Sequence, residues 1–267
     1  MEEKKFTILD FKRKKDSGEK ITMLTAYDFA IASIIEGIGV DSILVGDSLG
    51  MVVLGRDSTV SVTMDEMIHH TKAVRSGVKR AFLIADMPFM SFQVNDEEAV
   101  RNAGRFVKEA GCDAVKIEGG REVVSRVEAI NKAGIAVMGH IGLTPQSTSK
   151  LGGYRVQGKN EVSASRLAED AVLLEKAGCF AIVLECLPAD LAKKVTLKAG
   201  IPIIGCGAGP YCDGQVLVTY DMLGLFSRFK PKFVKQYADL TCIIGDAVRT
   251  YVDETKRGVF PDKDHSF

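Results

Sequence analysis

The sequence carries no excess charge of either sign: Lys+Arg and Asp+Glu both number 35. That removes the basic surplus on which nucleic-acid and anionic-membrane binding depend. No apolar run approaches the ~18 residues of a membrane span, and the opening MEEKKFTILDFKRKK lacks the apolar stretch of a secretory signal. The six cysteines (Cys112, Cys179, Cys186, Cys206, Cys212 and Cys242) include no CxxC pair. Scattered in this way they read as reduced thiols, and a cytoplasmic location is expected. What is present is ordinary for a compact protein: 46% hydrophobic and 26% charged residues.

Five times a helix-like segment ends at a glycine and a short apolar run follows: EGIGVDSILVGDS, EAGCDAVKIEGG, KAGIAVMGH, KAGCFAIVLEC and KAGIPIIGCGAG. Gly39, Gly111, Gly134, Gly178 and Gly200 suit helix C-caps. The runs after them, apolar on both faces, suit parallel strands covered on both sides. ITMLTAYD (21–28), FLIADMP (82–88) and QVLVTYD (215–221) complete a set of eight. Eight β–α units on this scale predict a single (β/α)8 TIM barrel domain over residues 1–267. The competing doubly wound sheet usually carries a Gly-rich fingerprint after its first strand, and TAYDFA has none.

Polar residues recur where these strands end: Asp47 and Ser48, Asp86, Lys116 and Glu118, His140, and Glu185. In a barrel such ends converge on one mouth, where active sites form. Asp47, Asp86 and Glu118 would repel one another unless a cation stood among them. Their oxygens, completed by water and substrate, suit Mg2+. His140 is the only histidine at a strand end, which argues against a histidine-rich zinc site. Glu185, flanked by apolar residues in AIVLECLP, suits a general base. Lys116 can hold a substrate carboxylate, neutralise an enolate or act as a Schiff-base nucleophile. GCGAG (205–209) lacks a nearby basic partner for a phosphate and reads as close backbone approach to a flat ligand. The long segment 143–160 reads as a mobile cover, and His69–His70 as a surface or interface pair.

The strings LTAYD, LVGDSLGMVVLGRDST, ADMPFMSF, VKIEGG, GHIGLTPQS, GGYRVQGK, VLECLP, DGQVLV, PKFVKQYADL and GVFPDKDHSF, in this order, resemble the ketopantoate hydroxymethyltransferase family from about residue 6 to the C-terminus. Cys206 and Tyr220 depart from its usual pattern. The resemblance implies a Mg2+-dependent barrel of the phosphoenolpyruvate/pyruvate superfamily. It implies transfer of a hydroxymethyl group from 5,10-methylenetetrahydrofolate to 3-methyl-2-oxobutanoate, giving 2-dehydropantoate on the way to pantothenate. It assigns metal ligation to Asp47, Asp86 and Glu118, keto-acid contacts to Asp47, Ser48, Asp86 and Lys116, and the base to Glu185, with His140 in support. It further implies a homo-oligomer, often a decamer, with neither nucleic-acid nor membrane partners.

Three rivals remain. A carbon–carbon lyase of the same superfamily would carry a KCGH-like cysteine loop, where this chain has LTPQS. A non-catalytic barrel is expected to have lost one of Asp47, Asp86, Glu118 or Glu185, and all four are present. A metal-free Schiff-base aldolase would rely on Lys116.

Overall fold

Eight short parallel strands follow one another round a ring: β1 (Ile21–Thr25), β2 (Ser42–Val45), β3 (Phe82–Asp86), β4 (Ala114–Glu118), β5 (Ala136–Gly142), β6 (Ala181–Glu185), β7 (Ile203–Cys206) and β8 (Gly214–Leu217). β8 returns to β1 in the register Ile21↔Gly214, so the sheet closes and has no unpaired edge. The computed structural model describes residues 4–226 and 228–267 and divides into two compact units, Met1–Val218 and Thr219–Phe267. The closed barrel expected from the sequence lies wholly within the first.

Nine helices among the described residues belong to that first unit: α1 (Ile8–Ser17), α2 (Phe29–Ile38), α3 (Leu49–Val52), α4 (Met64–Gly77), α5 (Asp96–Ala110), α6 (Val124–Lys132), α7 (Thr148–Leu151), α8 (Glu161–Lys176) and α9 (Ala189–Lys198). Their starts follow side-chain capping. Asp28 accepts from the Ile31 N–H, Asn95 from that of Glu98, and Thr63 and Glu66 form a reciprocal box at the head of α4. Gly39 and Gly111 are left-handed caps as expected, while Gly134 and Gly178 take positive φ one residue past the cap. Gly200 differs. It has no positive φ; its N–H donates to Glu175 Oε1 at 3.0 Å, and a Cβ there would lie 2.5 Å from that oxygen. Close approach, not handedness, calls for glycine at 200.

Strand parity explains the interior. Ile21 and Met23, Leu44, Phe82 and Ile84, Ala114, Met138, Ala181 and Val183, Ile204 and Val216 form one buried cluster, with Phe11 of α1 packed among them. Successive side chains alternate faces. Two residues beyond Ile84, Ala114, Met138 and Val183, the interior positions are therefore Asp86, Lys116, His140 and Glu185. The polar group lies at the C-terminal end of the apolar core, on the same face of the same strands.

The second unit holds a helical turn, α10 (Thr219–Met222), and α11 (Leu240–Arg257), started by Asp239 capping the Cys242 N–H at 3.2 Å. The strand expected over 215–221 thus stops at Leu217, and its last residues are helical. No helix among the described residues is long and apolar enough to cross a membrane.

Candidate active site

Lys116, at the middle of the strand-end group, is 4% exposed. Its Nζ lies 2.8 Å from Asp86 Oδ1 and 3.1 Å from His140 Nδ1. The adjacent β3–β4 and β4–β5 pairings put Asp86 beside Lys116 and Glu118 beside His140. On the far side of the imidazole, Nε2 lies 3.1 Å from Glu185 Oε2, a contact off the hydrogen-bonding angle and therefore electrostatic. Glu118 Oε1 is 3.5 Å from His140 Nδ1. The Asp47 backbone N–H donates to Asp86 Oδ2 at 3.0 Å. Beside Asp47, Ser48 Oγ shares a 2.8 Å hydrogen bond with the Tyr27 hydroxyl. The structure therefore brings together all seven residues singled out in the sequence.

The electrostatics follow from burial and from this crowding. Asp47 is held well above the ordinary carboxylate range, first by burial and then by the charges of Glu118 and Asp86. Burial alone would depress Lys116, but Asp86, Glu118 and Asp47 outweigh it and hold the ammonium protonated. Burial and Lys116 push His140 down; Glu118 and Glu185 overcome both and raise it to about 9. Burial would raise Glu118, yet its hydrogen bonds and nearby cations leave it lowered. With all four carboxylates and both bases ionised, the cluster formally lacks two positive charges, and the raised Asp47 is the sign of that imbalance.

These residues can meet that shortfall with a hard divalent cation. Among the described residues no three His, Cys, Asp or Glu side chains close on one point as a ready-made metal cage. The donor set fits Mg2+ in its usual form, held by one or two carboxylates with water and substrate oxygens completing six positions. Space is kept for it: a Cβ on Gly46 would stand 2.7 Å from Ser48 Oγ and 3.5 Å from Asp86 Oδ2.

The end of β6 is shaped around Glu185. Cys186 adopts φ 50°, a left-handed backbone that non-glycine residues rarely take. Gly142, at φ 100°, allows the Glu185 carbonyl to come within 2.3 Å of where a Cβ would be. The Glu185 side chain is 16% exposed and opens beside His140, so the apolar residues flanking it in sequence do not enclose its carboxylate.

The expected cover is partly helical, with a 3-10 turn (Pro145–Ser147) running into α7. Gln157 N–H donates to the Cys186 carbonyl at 2.9 Å, tying the segment to the end of β6. Tyr154 faces the site, its hydroxyl raised by burial and then by Glu185, Asp47 and Glu118. In GCGAG, a Cβ on Gly209 would lie 2.5 Å from that of Ala189, so one of these glycines serves packing against α9. His69 is exposed, whereas His70 Nδ1 holds the Tyr27 carbonyl at 2.7 Å.

Sequence reasoning missed Gln146. It is 5% exposed; its N–H donates to Glu118 Oε2 (3.0 Å), and its Nε2 donates to Asp47 Oδ2 and the Met87 carbonyl (both 2.9 Å). The available signal was Thr144–Pro145, since Pro restricts the residue before it and favours a tight turn into the mouth.

A (β/α)8 enzyme whose mouth receives a small polar molecule among buried charges is the class defined by this fold and site. A family model described as ketopantoate hydroxymethyltransferase matches residues 5–263. The chain belongs to the ketopantoate hydroxymethyltransferase family. It is 57% identical over 264 residues to the 3-methyl-2-oxobutanoate hydroxymethyltransferase of Syntrophus aciditrophicus, covering 99% of this chain and 97% of that one. In fold it is similar to a phosphonopyruvate hydrolase crystallised with oxalate and Mg++ (13% identity, TM-score 0.64, 98% of this chain and 93% of the other). It is similar also to 2,3-dimethylmalate lyase, a PEP mutase/isocitrate lyase superfamily member (17% identity, TM-score 0.59, 97% and 91%).

Proposed function

We propose that this enzyme removes the C3 proton of 3-methyl-2-oxobutanoate and joins the resulting carbanion to the one-carbon unit of 5,10-methylenetetrahydrofolate, giving 2-dehydropantoate and tetrahydrofolate with consumption of one water. The observation that carries the reading is the charge deficit of the buried cluster, combined with family membership. Mg2+, held by Asp47, Asp86 and Glu118, would supply Lewis acidity to a 2-oxo acid. Lys116, charged and fixed by Asp86, places positive charge where the keto oxygen becomes anionic. Ser48, oriented by Tyr27, offers a hydroxyl to the substrate carboxylate. Glu185 accepts the C3 proton, and His140 behind it holds that carboxylate in place. A protonated Lys116 is not a nucleophile, which disfavours the Schiff-base alternative.

A cytoplasmic homodecamer completes the reading. Its support is the family resemblance, the reduced cysteines and the exposed apolar side chains Ile243, Ile244, Val248 and Tyr251 along α11.

The test is exchange of the substrate C3 proton in D2O, followed by NMR with and without Mg2+, and with tetrahydrofolate added in a second series. Metal-dependent exchange in the wild type, reduced at least a hundredfold in Glu185→Gln, is expected. Exchange undiminished in that variant would remove Glu185 as the base. Absence of exchange in both series would remove the enolisation itself.

A further inference from the structure

Gln146 is an uncharged side chain that bonds directly into the carboxylate cluster from the turn after β5. Both protons of its amide are used, one on Asp47 Oδ2 and one on the Met87 carbonyl, while its Oε1 faces Gln93 Nε2 at 3.4 Å. Rotating the amide by half a turn would set Oε1 against a carboxylate and a carbonyl, two acceptors, so chemistry fixes its orientation. Its own N–H meanwhile engages Glu118 Oε2, and the Asp47 N–H engages Asp86 Oδ2.

One oxygen of each carboxylate is thereby committed: Asp47 Oδ2, Asp86 Oδ2 and Glu118 Oε2. Of the remaining three, Asp86 Oδ1 meets Lys116 and Glu118 Oε1 meets His140. The two carboxylates that Gln146 touches lie on different segments, Asp47 just past β2 and Glu118 at the end of β4, and Gln146 bonds to both. A residue that dictates which oxygens face the cavity governs how a cation is received, and outer contacts of this kind are worth roughly 10–100-fold in metal affinity.

We propose that Gln146 is a positioning residue for the cation, setting the orientation of the Asp47 and Glu118 carboxylates from the turn after β5. This rests on the Mg2+ reading given above. Gln146→Met keeps the length and loses both donors; Gln146→Asn keeps the amide but cannot reach both acceptors. Mg2+ and Mn2+ affinity is measured by calorimetry and by Mn2+ resonance without substrate, beside the melting temperature of the metal-free protein.

The expected result is a loss of affinity of about tenfold or more in either folded variant. Metal-free melting should stay within a few degrees of wild type, and activity should recover at high Mg2+. Wild-type affinity in a folded variant, or a fall in melting temperature with affinity unchanged, would overturn the proposal and leave the Mg2+ reading standing. A wild-type protein that binds neither ion would overturn both. Should Gln146→Met fail to fold, Gln146→Asn carries the same comparison.

Discussion

Lys116 carries two functions on one ammonium. It offsets Asp86, Glu118 and Asp47 in the resting protein, and it stands ready for the charge that develops on a keto acid. Removing one member of such a buried pair typically costs ~3–5 kcal/mol, because the partner is left uncompensated. Lys116→Met should therefore lower the melting temperature clearly, and Mg2+ should restore more of it than it adds to the wild type. A variant that Mg2+ does not help would show that the carboxylates do not share a cation site. At this scale the sequence was most informative about charged residues, because an acid or lysine at a strand end has few reasons to be there. Gln146 was invisible for the converse reason. Glutamine is mostly a surface residue, and only the meeting of loops from β2, β3, β4 and β5 makes this one a bonded interior group.

At the level of helices and strands, Asp86, Lys116, His140 and Glu185 were legible from their place at strand ends, and period-2 alternation is what turns all four inward. Asp47 stands outside that parity, beyond Gly46. Element ends were harder to read. β8 stops at Leu217, short of the expected Asp221, and nothing in QVLVTYD marks that end. Helix starts obey local chemistry, and α4 gives a measurable case. Glu66 accepts from the Thr63 N–H at 2.8 Å and pairs with Arg56, which with Thr63 lowers its carboxyl to about 2 from a usual 4.5. A lowered folded-state pKa contributes stability above the unfolded value and loses it as pH falls from about 4.5 to about 2. Glu66→Gln should cost about 1 kcal/mol at pH 7, a figure kept small by partial solvent exposure. In urea titrations the difference from wild type should shrink steadily below pH 4.5 and be largely gone by about pH 2. A gap that persists there would assign the effect to packing instead.

For the molecule as a whole, one carboxylate in each unit shows the opposite pH sense, Glu66 in the first and Asp221 in the second. In Thr219–Phe267, Asp221 Oδ1 is buried without a hydrogen-bond partner among the described residues, and burial raises the carboxyl to about 6. The folded state then binds more protons than the unfolded one between about pH 4 and pH 6, so this group makes stability fall as pH rises through that window. Asp221→Asn should raise the stability at pH 8, by up to about 2 kcal/mol once solvent screening of this partly exposed group is discounted, and leave it unchanged near pH 4. No gain at pH 8 would mean that the carboxylate is satisfied in solution. The first unit is bound by a different constraint, the pairing of Ile21 with Gly214 that shuts the ring. During synthesis, which proceeds at about 5–20 residues per second, β1 emerges early and must wait for almost the entire unit before its second neighbour exists. Through that interval the nascent chain carries two open strand edges and an uncapped set of carboxylates. The last strand to leave the ribosome is thus the one that removes both open edges.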